Sequence, residues 1–156
     1  MDILKIFQND YLIVPAFAWT VAQTLKLIIN AIMNKKFSIE RLFGDGGMPS
    51  GHSSIVTALA VITGLKGGFG SAEFAIAFIF AAVVMRDAMG VRLEAGKQAA
   101  SIIEIADLLN DYFSEHDEHI KTDKLKVLVG HTPLQVVCGS LLGAAFAIAY
   151  YFLVVG

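Results

Sequence analysis

The chain has 156 residues, a formal net charge of −2, 56% hydrophobic residues and only 17% charged ones. With a mean hydropathy of +0.65, that balance excludes an ordinary soluble domain and indicates an integral membrane protein. No basic patch points to nucleic acid, and the lone Cys138 excludes an intrachain disulfide or a cysteine-based zinc cluster, reading instead as a small packing residue.

The chain opens with a short amphipathic stretch. It lacks a basic region followed by a short apolar core and a small-residue cleavage site, so the first span is expected to remain as an anchor. That span runs from about Tyr11 to Met33, enough to cross roughly 30 Å of hydrocarbon as a helix. Gln23, Lys26 and Asn30 fall near one of its faces. Lys26 lies past the midpoint, where it either snorkels outward as an anchor or reaches a phosphate. A polar loop over 34–49 follows. Two shorter apolar segments, Ile55–Leu65 and Phe74–Met85, reach spanning length when extended through Ser50–Ser54 and Arg86–Met89, with their polar ends sunk in the bundle. The turn Lys66-Gly67-Gly68-Phe69-Gly70 joins them.

A polar excursion from about Gly90 to Gly130 begins with a helical pattern. Ala95, Ala99, Ile102, Ala106, Leu109 and Phe113 share one face, with Glu104, Asp107 and Asp111 elsewhere, as expected of a helix lying on the membrane or against a partner helix. Ser114 to Lys126 reads as a solvated linker. His116 and His119, beside Glu115, Asp117 and Glu118, have donor types suited to a divalent ion, but a charged linker accounts for them and no metal site is assigned. The last span runs from about Leu134 to Val155, and Gly139-x-x-x-Gly143 within it reads as close helix packing. There is no internal repeat. The expected architecture is a single all-α integral membrane domain over 1–156: a polytopic helix bundle of about four spanning helices plus an interfacial amphipathic helix.

This order places the loop before Pro49, the Arg86–Arg92 segment and Gly130–Pro133 on one side of the membrane, where they can form one site. The result stands if the middle two segments are a re-entrant hairpin, since removing an even number of crossings changes no side. Lys35, Lys36, Arg41, Arg86, Arg92, Lys97, Lys121, Lys124 and Lys126 share that side, against Lys5 and Lys66 on the other. The excess persists without the three arginines that are candidate ligands, so the positive-inside rule makes the site side cytoplasmic.

Three constellations carry candidate chemistry. In Gly46-Gly47-Met48-Pro49-Ser50-Gly51-His52-Ser53, a helix begins with glycines, hydroxyls and a histidine. Pro49 fits its first turn, and the unpaired N–H groups and the positive end of the helix dipole favour an anion there. Arg41 upstream can hold phosphate oxygens in a fixed fork, and His52 can protonate a leaving oxygen near neutral pH. The plain alternative is a capped helix whose Ser50 and His52 satisfy its own end. In Arg86-Asp87-Ala88-Met89-Gly90-Val91-Arg92, ionisable residues close an apolar run, and Asp87 can either orient an imidazole or pair with an arginine. The alternative is a juxtamembrane charge cluster. Gly130-His131-Thr132-Pro133-Leu134-Gln135 sets another histidine at a helix mouth, where a neutral imidazole can attack phosphorus while arginines and helix-start amides hold the developing charge. Gln135, one turn on, can orient the ring or contact substrate. A capping histidine is the alternative. Lys36 and Ser53 complete the candidates for substrate or orienting contacts.

Pro49-Ser50-Gly51-His52 is similar to the central motif of the type 2 phosphatidic-acid phosphatases and vanadium haloperoxidases. Joined to Asp87-Ala88-x-Gly90-Val91-Arg92, Gly96-Lys97-Gln98-Ala99 and Gly130-His131-Thr132-Pro133, it resembles the small divergent bacterial branch of that superfamily, from Arg41 onward. The resemblance implies an all-helical phosphatase site without a metal or other cofactor. It assigns His131 as the nucleophile forming a phosphohistidine and His52 as the acid for the leaving group, beside which Arg41, Arg86, Arg92, Ser50 and Gly51 are the candidate phosphate contacts and Asp87 the candidate for the supporting carboxylate. The chain departs from the usual motifs in three places. Arg41 is followed by Leu42 where Pro is usual, Lys124-Leu125-Lys126 stands ahead of His131 where Ser-Arg is usual, and Gln135 replaces an Asp. Arg86 or Arg92 would then stand in for the missing arginine. The implied substrate is a lipid or isoprenoid phosphate entering between the helices of a cell-membrane protein, and a bundle this small allows a homodimer. The competing class is a non-catalytic phospholipid-binding or phospholipid-transporting membrane protein that keeps the anion pocket.

Overall fold

The computed structural model describes residues 3–34, 47–112, 120, 125 and 130–156. Arg41, Lys35, Lys36, Phe113, His116 and His119 lie outside these residues, as does most of the polar loop and linker.

After a 3₁₀ turn over Ile3–Gln8, α1 runs from Asp10 to Asn34, with Asn9 Oδ1 accepting the Tyr11 N–H at 3.0 Å to start it. The second helix, α2, spans Gly51–Gly67 and is capped by Ser50, whose Oγ accepts the Ser53 N–H at 3.3 Å. Pro49 therefore stands before the cap rather than in the first turn. Ser50 takes the extended cap backbone (φ −70°, ψ 117°) and the helix starts one residue later. The turn at Gly68, with φ 88°, leads to Ser71, which caps α3 (Ala72–Met89) by accepting the Phe74 N–H at 3.2 Å. Gly90 interrupts the helix, its N–H bonding back to the Arg86 carbonyl at 2.9 Å, and α4 continues over Val91–Tyr112. Helix α5 covers Pro133–Tyr150 behind a Thr132/Gln135 capping box and widens into a π turn over Tyr151–Val155.

Among the described residues, three segments are long and apolar enough to cross a membrane: Asp10–Ile32, Ala72–Tyr112 and Pro133–Val155. The expected fourth, α2, has 17 residues and rises about 25 Å, slightly less than a bilayer core. It lies in the middle of the bundle, walled by α1, α3 and α5. Helices α2 and α5 run parallel, and α1 and α3 run antiparallel to both. At one end Lys66 pairs with Asp10, whose Oδ1 accepts the Tyr150 hydroxyl at 2.7 Å. At the other end Ser50 N–H donates to the Gln135 carbonyl and His131 N–H to the Ala88 carbonyl, both at 3.0 Å.

Small residues make the interior. Val14, Ala18, Ala58, Ile62 and Ala147 form one cluster, and Val56, Ala60, Ala77 and Ala81 another. Gly139 and Gly143 face α2 so closely that a Cβ on either would run into the carbonyl of Ser50 or Ser54. The large apolar side chains, among them Phe17, Ile76, Phe78, Ile79, Leu141 and Phe152, point outward. This inversion of the soluble pattern suits hydrocarbon surroundings and makes the molecule an all-α membrane helix bundle.

Helix α4 divides the expected apolar face. Ala99 and Ala106 are buried together with Gly96, but Ala95, Ile102 and Leu109 are exposed. Only the small members of the predicted stripe pack inward, because the glycine and alanines permit close approach while the bulky ones project away. Ile105 and Leu108 extend this exposed apolar surface.

Candidate functional site

Three chain segments meet at the mouth of α2 and α5. Gly130 passes so close to the backbone of Arg92 and Leu93 that any side chain there would strike it, and the next residue bonds to Ala88. The α3–α4 junction thereby fixes His131 at the head of α5. Ser50, tied to Gln135 and pressed on Gly139, fixes the head of α2 beside it. The consequence is a pair of imidazoles, His52 and His131, with ring centroids 5.8 Å apart and planes at 63°.

His131 is 1% exposed, whereas His52 is half-buried. Gln135 Oε1 accepts the Thr132 backbone N–H at 3.1 Å and lies 3.3 Å from His131 Nδ1. An oxygen already fixed as an acceptor by a backbone donor calls for an N–H from the ring as well. That places the proton of the neutral imidazole on Nδ1 and the lone pair on Nε2. Gln135 thus orients the ring, the role the sequence allowed it, while also closing the capping box of α5.

The hydroxyls of Ser50 and Ser53 are buried and bonded to one another, with Ser53 Oγ donating to Ser50 Oγ at 3.0 Å. Their first role is the cap. Beyond them the N–H groups of Gly51 and His52 belong to the first turn, which has no intrahelical acceptors to offer. Asp87 accepts from Arg92 Nε at 2.7 Å, bridging the Gly90 break, so of its two sequence readings the structure displays the arginine pair. Both side chains are 44% exposed, and such a pair contributes about 1 kcal/mol or less. Arg86 is exposed at the end of α3.

One residue left undecided by the sequence proves to be at this mouth. Lys26 is 5% exposed, and its stem lies against Gly47, where a Cβ would sit 3.3 Å from its Cγ and Cδ. Gln23, a turn earlier on α1, and Trp19 border Gly51.

The model of the Divergent PAP2 family matches residues 7–146, a range containing all three segments that meet at the histidine pair. The chain is 36% identical over 158 residues to the uncharacterized membrane protein YuiD of Bacillus subtilis (strain 168), covering 96% of this chain and 100% of that protein. No solved structure matches it. The likeness carried by short motifs thus extends from the start of α1 deep into α5, and the chain belongs to the Divergent PAP2 family.

Proposed function

We propose that this protein is a metal-independent membrane phosphatase acting on a lipid or isoprenoid phosphate whose head group docks at the mouth of α2 and α5. The observation carrying this reading is the adjacent His52–His131 pair, in which Gln135 holds Nδ1 and leaves Nε2 as the lone-pair nitrogen. His131 Nε2 attacks phosphorus, the bond from phosphorus to the lipid oxygen breaks, and protonated His52 gives its proton to that oxygen. Water then attacks the phosphohistidine and passes a proton to His52, releasing inorganic phosphate and restoring both rings. The first-turn amides of α2, with Ser50 and Gly51 at its head, and the basic residues Arg41, Arg86 and Arg92 offset the phosphoryl charge. The excess of lysine and arginine on this side favours a site open to the cytoplasm.

Phosphate release by purified protein in detergent, with lipid phosphates of several head groups and a chelator present, tests the reading. Turnover with a phosphoenzyme that vanishes in His131→Ala supports it, and binding without turnover rejects it. A second reading, a non-catalytic phospholipid-binding or phospholipid-transporting protein, draws on the 1% exposure of His131 and on the mutually bonded Ser50 and Ser53 hydroxyls. It gives affinity for lipid phosphates with neither phosphoenzyme nor released phosphate.

A further inference from the structure

We infer that Lys26, on α1, is a phosphate-contacting cation of this site. The inference rests on the proposed phosphate-binding role of the histidine pair and adds a residue that none of the motifs contains. Ionisable side chains within membrane spans face the bundle interior and mark the path or seat of a ligand. Lys26 lies in the span Asp10–Ile32 and is 5% exposed. A snorkelling lysine would end in open surroundings, so this burial selects the inward orientation.

Neighbouring contacts say where inward leads. The stem is covered by Gly47, which has φ 103° and has no Cβ to push the lysine aside. Three residues on, the chain reaches Ser50 and the head of α2. On the same face of α1, Gln23 borders Gly51, and its Oε1 is buried with no hydrogen-bond partner among the described residues. Turned over, that amide presents N–H donors to an anion. Helix α1 thus brings an ammonium and an amide to the same helix start that the two histidines flank. The ammonium acts as a compact point charge on the phosphoryl oxygens, while the arginines supply forked contacts.

The test uses full-length protein in detergent, with inorganic phosphate and orthovanadate as probes and binding read by calorimetry and vanadium NMR. Lys26→Met should weaken both ligands about tenfold or more, and Lys26→Arg should stay within about threefold of the parent. Helicity and elution volume check each fold. A charge-rescue arm covers a misfolded Met variant: in a Cys138→Ser background, Lys26→Cys is alkylated with bromoethylamine, which restores an ammonium, or with iodoacetamide, which does not. Recovery of phosphate binding with the first reagent alone supports the inference. Equal binding by parent, Met variant and both alkylated forms overturns it while leaving the histidine site standing. A parent protein that binds neither probe overturns the phosphate-site reading itself, and this inference with it.

Discussion

His131 and His52 have different burial and different neighbours, so their substitutions should fail in different ways. His131→Ala should abolish any trapped phosphoenzyme, whereas His52→Ala should slow turnover by about 10²–10⁴-fold, most for substrates with poor leaving groups. Quenched-flow trapping beside steady-state assays reads both effects, and full activity in His131→Ala removes the nucleophile assignment. Vanadate should inhibit, because its five-coordinate form resembles phosphorus under attack. Gln135→Leu should lower kcat more than it raises KM, since the amide touches the ring rather than the substrate. Its kcat and KM from one substrate titration decide this, and a change in KM alone would make Gln135 a substrate contact. At this level the sequence was legible where a residue type sits at a helix start, as for Ser50, His52 and His131. It left Lys26 undecided, because a lysine past the middle of a span has the same spacing whether its stem turns outward or into the bundle, and its burial against Gly47 separates the two.

The contact between α2 and α5 depends on the absence of two side chains. Gly139 and Gly143 allow the carbonyls of Ser50 and Ser54 into the space where a Cβ would sit, and Ser50 N–H bonds across to Gln135. Gly143→Leu should therefore separate the helices and abolish a monodisperse peak on size exclusion in detergent. Leu141→Ala, on the exposed flank of the same helix, should elute as the parent does. The spacing of those glycines announced the packing without naming its partner. Apolar length likewise gave the bounds of α1, and of α5 together with its π turn, to within a residue or two. It gave α2 less well, since a helix sheathed by protein on most sides need not be as long or as apolar as one facing lipid, and Ser53, Ser54 and Thr63 are tolerated there. In α4, periodicity identified the helix and its apolar stripe but not which members of the stripe pack against the bundle, because Gly96 and the alanines dictate how near another chain can come while hydrophobicity alone ranks Ile102 and Leu109 ahead of them.

Across the whole molecule, the end away from the histidines is closed by Asp10, Lys66 and Tyr150, drawn from α1, α2 and α5. Tyr150→Phe should cost about 0.5–1.5 kcal/mol, and a lower midpoint in a denaturing-detergent titration would register it. Sidedness is separately testable with single cysteines at Gly67 and Ser114 in a background without Cys138. An impermeant reagent applied to intact cells should label Gly67→Cys and spare Ser114→Cys, and the reverse pattern would turn the site outward. The central position of α2 also governs the order in which the protein can be completed. Its Ser50 amide and its Ser50–Ser54 flank are met by α5, which leaves the ribosome after α1 to α4. A nascent chain that has released only α1 to α4 holds half of the imidazole pair and an α2 groove still open to lipid or to the insertion machinery. The pair of imidazoles therefore arises only when α5 comes to lie beside α2.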